Sequence, residues 1–306
     1  MKYIYLDQNK WIELAKGIKS NDSQYIELYN IIMKNVENGV WAFPLSLIHI
    51  IETMKRKDKT SREEILNLMF LVSKEYAICN YATADEIEFN CWVNNKSIDC
   101  SILKNEMIAC DWEIIFGLSI TNEQRKIKKR LSSPRKYFNY ICNMARPFIA
   151  DEEFYYNRYQ EARRNFWKWK NEIKQLDEYK DKHLYPAYLI KIFFEIYKEK
   201  MMNMSAIERE NIKELFEKSE KNKTVAIANL ETIPGFNVYN RLVFELFNNP
   251  QKDVHKHDFN DLAYLRVAVP YCDIVIGEKY WCDRVCANNL DKKYNTTIST
   301  KLLSLI

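Results

Sequence analysis

Short apolar runs of strand length alternate with helical patterns at the amino end of the chain. YIYL over 3–6 and WAF over 41–43 are such runs, and a third, YAICNYA, covers 76–82. Apolar residues with helical spacing lie between them, over 10–16, over 25–35 and over 44–57, where Pro44 suits the first turn of a helix. Strands that alternate with helices predict a parallel sheet.

The same alternation returns at the carboxyl end. HDFNDLAYLRVAVPYC predicts a helix, DIVIG over 273–277 a strand, KYWCDRVCANNL a helix, and TTIS over 296–299 a last strand. From about residue 85 to 249 the pattern is instead long, charged and aromatic-rich helical periodicity. We therefore predict an α/β fold. Its parallel-sheet core is formed by residues 1–84 and 250–306, and an all-helical insertion occupies 85–249.

Glycine is scarce, and its scarcity excludes several classes of enzyme. The 306 residues include 5 glycines, where average usage would give about 21. No two of them share a loop, so a Walker A loop, a dinucleotide-binding GxGxxG turn and a GxSxG nucleophile elbow are absent. The 4 histidines form no HExxH motif, and the 8 cysteines form no CxxC pair. The chemistry that remains is that of carboxylates.

The cysteines and the amino terminus bear on location. Cysteines without paired spacing are typical of reduced thiols packed in a cytosolic protein. The opening MKYIYLD carries an acid at position 7, too early for a signal peptide, and no apolar run approaches the ~18 residues of a membrane span. We therefore expect a cytoplasmic protein without membrane contact.

Acidic residues fall beside the predicted strands. Asp7 directly follows the first strand, and ligands of open α/β sheets collect at the carboxyl ends of strands. Glu52 lies on the helix after the second strand, where the i, i+3, i+6 spacing puts it on one face with Ser46 and His49. A charge on an otherwise apolar helix needs a partner or a metal.

Four further acids lie near the carboxyl end. Asp258 and Asp261 are three residues apart at the start of the late helix, where a capping role is an equal alternative for Asp258. Asp273 opens the next strand and Glu278 follows its end. The sequence does not rank these last two.

Three segments together resemble the signature blocks of PIN-domain nucleases, specifically the bacterial PIN-like group: YLDQNKWIEL, FPLSLIHIIET and DFNDLAYLRVAVPYCDIVIGEKYW. The resemblance covers roughly 1–82 and 250–306 and implies an ordered set of catalytic acids, here Asp7, Glu52, Asp261 and either Asp273 or Glu278. One departure is that the family's closing Thr-x-Asp is replaced by Ile276-Gly277-Glu278.

Several carboxylates that converge without a metal repel one another, and a divalent cation removes that cost. Oxygen ligands favour Mg²⁺ or Mn²⁺, which activate water for attack on a phosphodiester. The candidate metal ligands are Asp7, Glu52, Asp258, Asp261, Asp273 and Glu278.

Three polar residues lie near these acids: Asn9, Ser46 and His49. Asn9 either positions water or phosphate or is a plain cap. Either Ser46 and His49 position Glu52, or His49 is an interior side chain whose hydrogen bonds are satisfied within the protein. A transition-metal site at His255-Lys256-His257-Asp258 competes with a simpler solvated turn.

The middle of the chain is basic and aromatic. RKIKKRLSSPRKYFNY over 125–140 has seven basic residues and no acid, and FYYNRYQEARRNFWKWK follows. Such a composition favours binding of RNA or single-stranded nucleic acid, although core aromatics and a solvated basic face are the alternative. The insertion is therefore interpreted either as a nucleic-acid-binding region or as a lid over the cleft. The candidate contacts are Arg125, Lys126, Lys128, Lys129, Arg130, Arg135, Lys136, Arg163 and Arg164.

These observations lead to one main functional prediction, a metal-dependent endoribonuclease. The resemblance adds an expected role as a toxin or defence effector, with an antitoxin or defence protein as partner, or a second copy of the chain. The alternatives are a catalytically weak PIN-like module that binds nucleic acid or protein, and a nuclease of single-stranded DNA.

Overall fold

Parallel strands from both ends of the chain form the central sheet. The computed structural model describes residues 1–94, 98–117, 128–131, 133–149, 152–176, 180–220 and 223–306. The strands are β1 (Lys2–Leu6), β2 (Trp41–Ala42), β3 (Tyr76–Ile78), β4 (Ile108–Cys110), β5 (Ile274–Ile276) and β6 (Thr297–Ser299). The main sheet has the order β2-β1-β5-β6, with every neighbouring pair parallel.

Strand β1 lies inside the sheet, and its register with β5 sets the positions of the residues that follow both strands. Leu6 pairs with Ile276, and the backbone N–H of Asp7 donates to the Ile276 carbonyl at 2.8 Å. Ile4, Tyr5 and Leu6 are buried because helices cover the sheet. The predicted α/β class and a parallel sheet built from both ends of the chain are confirmed.

The third predicted strand, β3, is not one of the four strands of this sheet. Strand β3 pairs antiparallel with β4 in a separate two-stranded sheet. A single parallel bridge, Leu45 to Ala77, connects β3 to the segment that follows β2. Pro44 lacks an N–H and so cannot donate to a ladder, which is consistent with pairing being limited to this one bridge.

The first three amino-terminal helices lie where the apolar spacing predicts them, with different ends, and a fourth helix follows them. They are α1 (Gln8–Lys19), α2 (Ser23–Glu37), α3 (Leu47–Met54) and α4 (Lys59–Ser73). Helix α3 starts after Pro44 because Ser46 is its N-cap, with its hydroxyl accepting from the His49 N–H.

The middle segment is mainly helical, but the prediction that it is wholly helical is wrong, since β4 lies within it. Its helices are α5 (Tyr81–Val93), α6 (Cys100–Met107), α7 (Pro134–Met144), α8 (Glu152–Lys174), α9 (Leu184–Met202), α10 (Ala206–Glu220), α11 (Lys223–Leu230) and α12 (Pro234–Asn248). Short 3-10 helices cover Trp112–Phe116, Arg146–Ile149 and Asp181–His183. Among the described residues, every helix is too short or too polar to traverse a bilayer.

The carboxyl-terminal segment completes the fold with α13 (Lys256–Tyr271), α14 (Lys279–Ala287), α15 (Leu290–Tyr294) and a 3-10 helix over Leu302–Leu305. Helix α13 packs against α12, α8, α6 and α5 of the middle segment. Buried apolar residues from all three segments form one hydrophobic core. The helical segment therefore shares its core with the sheet.

A buried polar network joins the middle segment to α13. The Glu88 carboxylate, which is fully buried, accepts from the Gly235 N–H at 2.8 Å and from the Tyr271 hydroxyl at 2.6 Å. A Cβ on Gly235 would lie 3.0 Å from Glu88 Oε2, so glycine allows this close approach. Beside it Arg266 pairs with Asp85. Burial raises the pKa of Glu88 to about 8.

Replacing Glu88 tests the contribution of this network to stability. Glu88→Ala leaves the Gly235 and Tyr271 donors buried without an acceptor, and we expect the free energy of unfolding to fall by about 3 kcal/mol. The matched control is Glu86→Ala on the exposed face of the same helix, where we expect a change within about 0.5 kcal/mol. Urea unfolding at neutral pH measures both. Equal losses would contradict the assigned role of Glu88.

Candidate active site

A cleft opens at the carboxyl edge of the sheet between β1 and β5. The chain leaves β1 towards β2 on one side and leaves β5 towards β6 on the other, so the strand order reverses between these neighbours. Ligand clefts of open parallel sheets form at such a reversal. The cleft has a volume of about 510 Å³. It is lined by five acids from four stretches of the chain, Asp7, Glu52, Asp258, Asp261 and Glu278.

Asp7 sits at the base of the cleft because it directly follows the central strand. Its side chain is 4% exposed, and Oδ1 accepts from the Gln8 N–H at 2.6 Å as the cap of α1. Its Oδ2 is buried and has no hydrogen-bond partner within the described part of the chain. Burial, and then the negative charges of Glu52 and Glu278, raise the pKa of Asp7 to about 7.

Asp261 projects from the second turn of α13 towards the same point. Its Oδ2 accepts from the indole N–H of Trp281 at 2.8 Å. Burial, and then the negative charges of Asp7 and Glu278, raise the pKa of Asp261 to about 9, although the Trp281 hydrogen bond lowers it. Both carboxyl groups are therefore harder to ionise than free ones, as expected for acids crowded into one site.

Amide side chains engage the other two acids. Asn260 donates to Glu52 Oε1 at 2.7 Å, and Asn9 donates to Glu278 Oε1. Glu278 is exposed at the start of α14, whereas Glu52 is half-buried on α3. Asn9 thus holds an acid of the site, a role that neither of its predicted alternatives described.

The donor chemistry of these acids fits a hard divalent cation. Asp7, Glu52, Asp261 and Glu278 all offer carboxylate oxygens. Asp7 and Asp261 have raised pKa values, and the buried Oδ2 of Asp7 has no hydrogen-bond partner among the residues that the structure describes. Over the described ranges, however, no three acidic, histidine or cysteine side chains already converge on one ion-binding point. Asn260 contacts the Oε1 atom of Glu52, and Asn9 contacts the Oε1 atom of Glu278.

The structure separates Asp273 from the other candidates. Asp273 lies at the amino end of β5, where Oδ2 accepts from the Tyr3 N–H at 2.7 Å and Oδ1 pairs with Lys104 at 2.7 Å. The cleft lies at the opposite end of the strand. Of the two acids that the sequence left unranked, geometry therefore selects Glu278, and the assignment of Asp273 to the site is wrong.

Asp258 lines the cleft, but its carboxylate is engaged at the start of α13. Oδ2 accepts from the His255 N–H at 2.7 Å, and Lys252 lies 3.6 Å from Oδ1. This arrangement corresponds to the capping alternative. His255 and His257 are exposed at the cleft rim, which agrees with a solvated turn.

His49 and Ser46 face the protein interior. His49 Nδ1 accepts from the Ser46 N–H at 3.0 Å, and Nε2 lies 2.7 Å from the Leu6 carbonyl oxygen. Burial lowers the pKa of His49 to about 3. The Ser46 hydroxyl is 2.9 Å from the Tyr5 hydroxyl. Both side chains tie α3 to β1, so the interpretation of His49 as a satisfied interior group is the one that geometry supports.

Of the basic residues predicted to contact nucleic acid, some contact other parts of the protein and others are exposed. Lys128 pairs with Glu75 at 2.7 Å, Arg135 lies over the Phe70 ring at 5.1 Å, and Arg163 donates to the Asn249 carbonyl at 2.9 Å. These three stabilise the helical segment. Lys129, Arg130, Lys136 and Arg164 are exposed. Arg125 and Lys126 lie outside the described residues.

The cations that do line the cleft were not predicted. They are Lys55 and Arg56, which follow Glu52 by about one turn, and Lys252 before α13. The supporting donors Asn260 and Trp281 were missed too, although both lie inside the segments that carried the resemblance. The i+3 spacing of Lys55 from Glu52 was an available signal.

Comparison with protein-family models, with curated proteins and with solved structures finds no match for this chain.

The raised pKa values predict a link between pH, cation and stability. An acid whose pKa is higher in the folded protein contributes stability at low pH that is lost as pH rises through the folded value. In EDTA we therefore expect the melting temperature to decrease as the pH is raised from about 5 to about 8. The decrease should be smaller for Asp7→Asn, which lacks one of the two cleft acids with a raised pKa. At the upper pH, Mn²⁺ restores the melting temperature of the wild type more than that of Asp7→Asn.

Asp273→Asn is the matched control for this experiment, because it removes an acid at the opposite end of β5. We expect its response to Mn²⁺ to equal that of the wild type. A response to Mn²⁺ that is lost in Asp273→Asn and kept in Asp7→Asn would place the cation elsewhere. Thermal melts at matched ionic strength measure all three proteins.

Proposed function

We propose that the chain is a PIN-like, metal-dependent endoribonuclease whose site is the acidic cleft between β1 and β5. The observation that carries this proposal is the buried Oδ2 of Asp7, which lacks a hydrogen-bond partner among the described residues and belongs to a cleft lined by four further acids. Such an arrangement is costly unless a cation neutralises it. An active site accounts for that cost, whereas a purely structural role does not.

Asp7, Asp261, Glu52 and Glu278 would hold Mg²⁺ or Mn²⁺. When bound, the ion supplies Lewis-acid activation of water and charge stabilisation at the cleaved phosphodiester. Trp281 holds the Asp261 carboxylate at a fixed place through its indole N–H. Asn9 and Asn260 hold the two glutamates in the same way.

Basic side chains at the rim support a polyanionic substrate. Lys55, Arg56 and Lys252 line the cleft beside the acids. Their positive charge offsets the repulsion between phosphates and an acidic site. The roles as a toxin or defence effector, and partners beyond RNA, rest on the sequence resemblance.

We also propose a cytoplasmic location. All eight cysteines lie among the described residues and none of them forms a disulfide, the state that a reducing compartment maintains.

Asp7→Asn tests the proposed chemistry. Purified protein with Mn²⁺ or Mg²⁺ should cleave single-stranded RNA. We expect EDTA to abolish cleavage, and Asp7→Asn to reduce it by at least about a hundredfold, because one ligand of the activating ion is lost. Asp273→Asn should retain activity. Parallel assays on single-stranded DNA show whether the substrate is RNA or DNA. Cleavage by the wild-type protein without metal would refute the mechanism.

Trp281→Phe tests the positioning of Asp261. The variant removes the N–H that favours the charged carboxylate, so the pKa of Asp261 should rise. The acid limb of the pH–rate profile should then move to higher pH, with activity partly recovered in alkaline buffer. A uniform loss at every pH would indicate a structural role for the indole instead.

One observation favours a second candidate function, a catalytically weak module that binds nucleic acid. Glu278 is exposed and paired with Asn9, and no three ligands converge within the described residues. Intact RNA binding without cleavage of RNA or DNA, in either metal, would support this function over the first.

A further inference from the structure

An apolar groove lies directly beside the acidic cleft. Its volume is about 340 Å³, within the range of small-ligand pockets. One wall is the face of α3 that carries Leu47, Ile48 and Ile51, whereas Glu52, the next residue, lines the cleft. Lys55 lines both spaces, and Asn260 of the groove donates to Glu52 at 2.7 Å. The two spaces are therefore neighbours across one turn of α3.

Aromatic rings form the other walls of the groove. Phe116 and Phe148 stack with ring centroids 6.1 Å apart and an interplanar angle of 28°. Phe259 meets Tyr81 edge to face, with centroids also 6.1 Å apart. Phe148 is 50% exposed, so one large aromatic surface remains available to a ligand.

Backbone and side-chain contacts place Phe116 in this wall. The Asn80 amide at the start of α5 accepts from the Thr83 N–H at 3.0 Å and donates to the Ile115 carbonyl at 3.4 Å. Gly117, with φ of +123°, ends the 3-10 helix, and a Cβ there would lie 2.9 Å from the Thr83 hydroxyl. The aromatic wall is thus fixed to α5 by specific contacts.

The chemistry of the groove selects a flat, aromatic ligand attached to an anion. Aromatic rings stack on planar bases without regard to sequence. Lys55 and Lys256 provide positive charge at the groove, where a phosphate of the same strand would pass towards the cleft.

We propose that this groove binds one unpaired base of the RNA strand whose phosphodiester lies in the acidic cleft. The inference rests on the proposed function, which supplies the strand. The base stacks against Phe148 and Phe116, and Lys55 contacts the backbone between base and cleft. Because an unpaired base must leave its own stack to enter, the site selects single-stranded RNA over duplex.

The experiment measures binding separately from cleavage. Short single-stranded RNAs, each abasic at a different position, are titrated in EDTA against protein carrying Asp7→Asn, so that the strand stays intact. At one position, loss of the base should weaken binding by about tenfold. When Phe148→Ala is added to Asp7→Asn, the intact RNA should bind about as weakly as the abasic RNA binds to Asp7→Asn alone. Removing the base at that position should then cause no further loss of affinity.

Two variants separate stacking from general damage. Phe148→Trp keeps a planar ring and should retain the effect of the abasic position. Phe194→Ala, at a half-exposed phenylalanine of α9 outside both spaces, should leave binding unchanged. The assignment of the groove to a base is overturned if no abasic position weakens binding. It is also overturned if an abasic position weakens binding as much in Phe148→Ala as it does with Phe148 present.

Cleavage assays keep the two proposals apart. Metal-dependent cleavage lost in Asp7→Asn, together with binding indifferent to every abasic position, would refute the base site alone and leave the nuclease intact. Base-dependent binding without cleavage in either metal would refute the nuclease chemistry and leave the base site standing.

Discussion

The parallel pairing of β1 with β5 is the contact on which the rest of the architecture depends. Leu6 and Ile276 are opposite each other, although most of the chain lies between them in sequence. Their pairing brings Asp7 and Glu278 to one edge of the sheet, and the next strand lies on the outer side of each, β2 beside β1 and β6 beside β5. At the other end of the same strands, Tyr3 and Asp273 close the pair with a hydrogen bond. The pairing of β1 with β5 thus forms the cleft at one end of the two strands and places Asp273 at the other end.

Gathering acids at that edge costs free energy, and the surrounding side chains show how the fold limits the cost. Trp281, Asn260 and Asn9 each donate to one carboxylate. Asp7 has a cap bond on one oxygen and no partner among the described residues on the other. Burial, and then the neighbouring negative charges, raises the pKa values of Asp7 and Asp261 despite these donors. This is the situation in which a protein gains from binding a cation.

The helical segment contributes to the site as well as to the core. Through Glu88 it binds the backbone of α12 and the end of α13, the helix that carries Asp261. Through Phe116 and Phe148 it forms the aromatic wall beside the cleft. Lys128 and Arg135, by contrast, contact Glu75 and Phe70 of the amino-terminal segment. The helical segment is therefore part of the same structural unit as the sheet.

The sequence by itself determined the local features of this protein. Apolar spacing located the helices beside the sheet, and β-rich runs located β1, β2, β5 and β6, because side-chain periodicity is a property of neighbouring residues. Position beside these elements, together with the resemblance, made candidates of Asp7, Glu52, Asp258, Asp261, Asp273 and Glu278. Tertiary structure decided what depends on distant partners: the choice of Glu278 over Asp273, the antiparallel pairing of β3 with β4, and the interior role of His49. Each of these depends on which strand or backbone group lies opposite, and that is fixed only when segments far apart in sequence pack together.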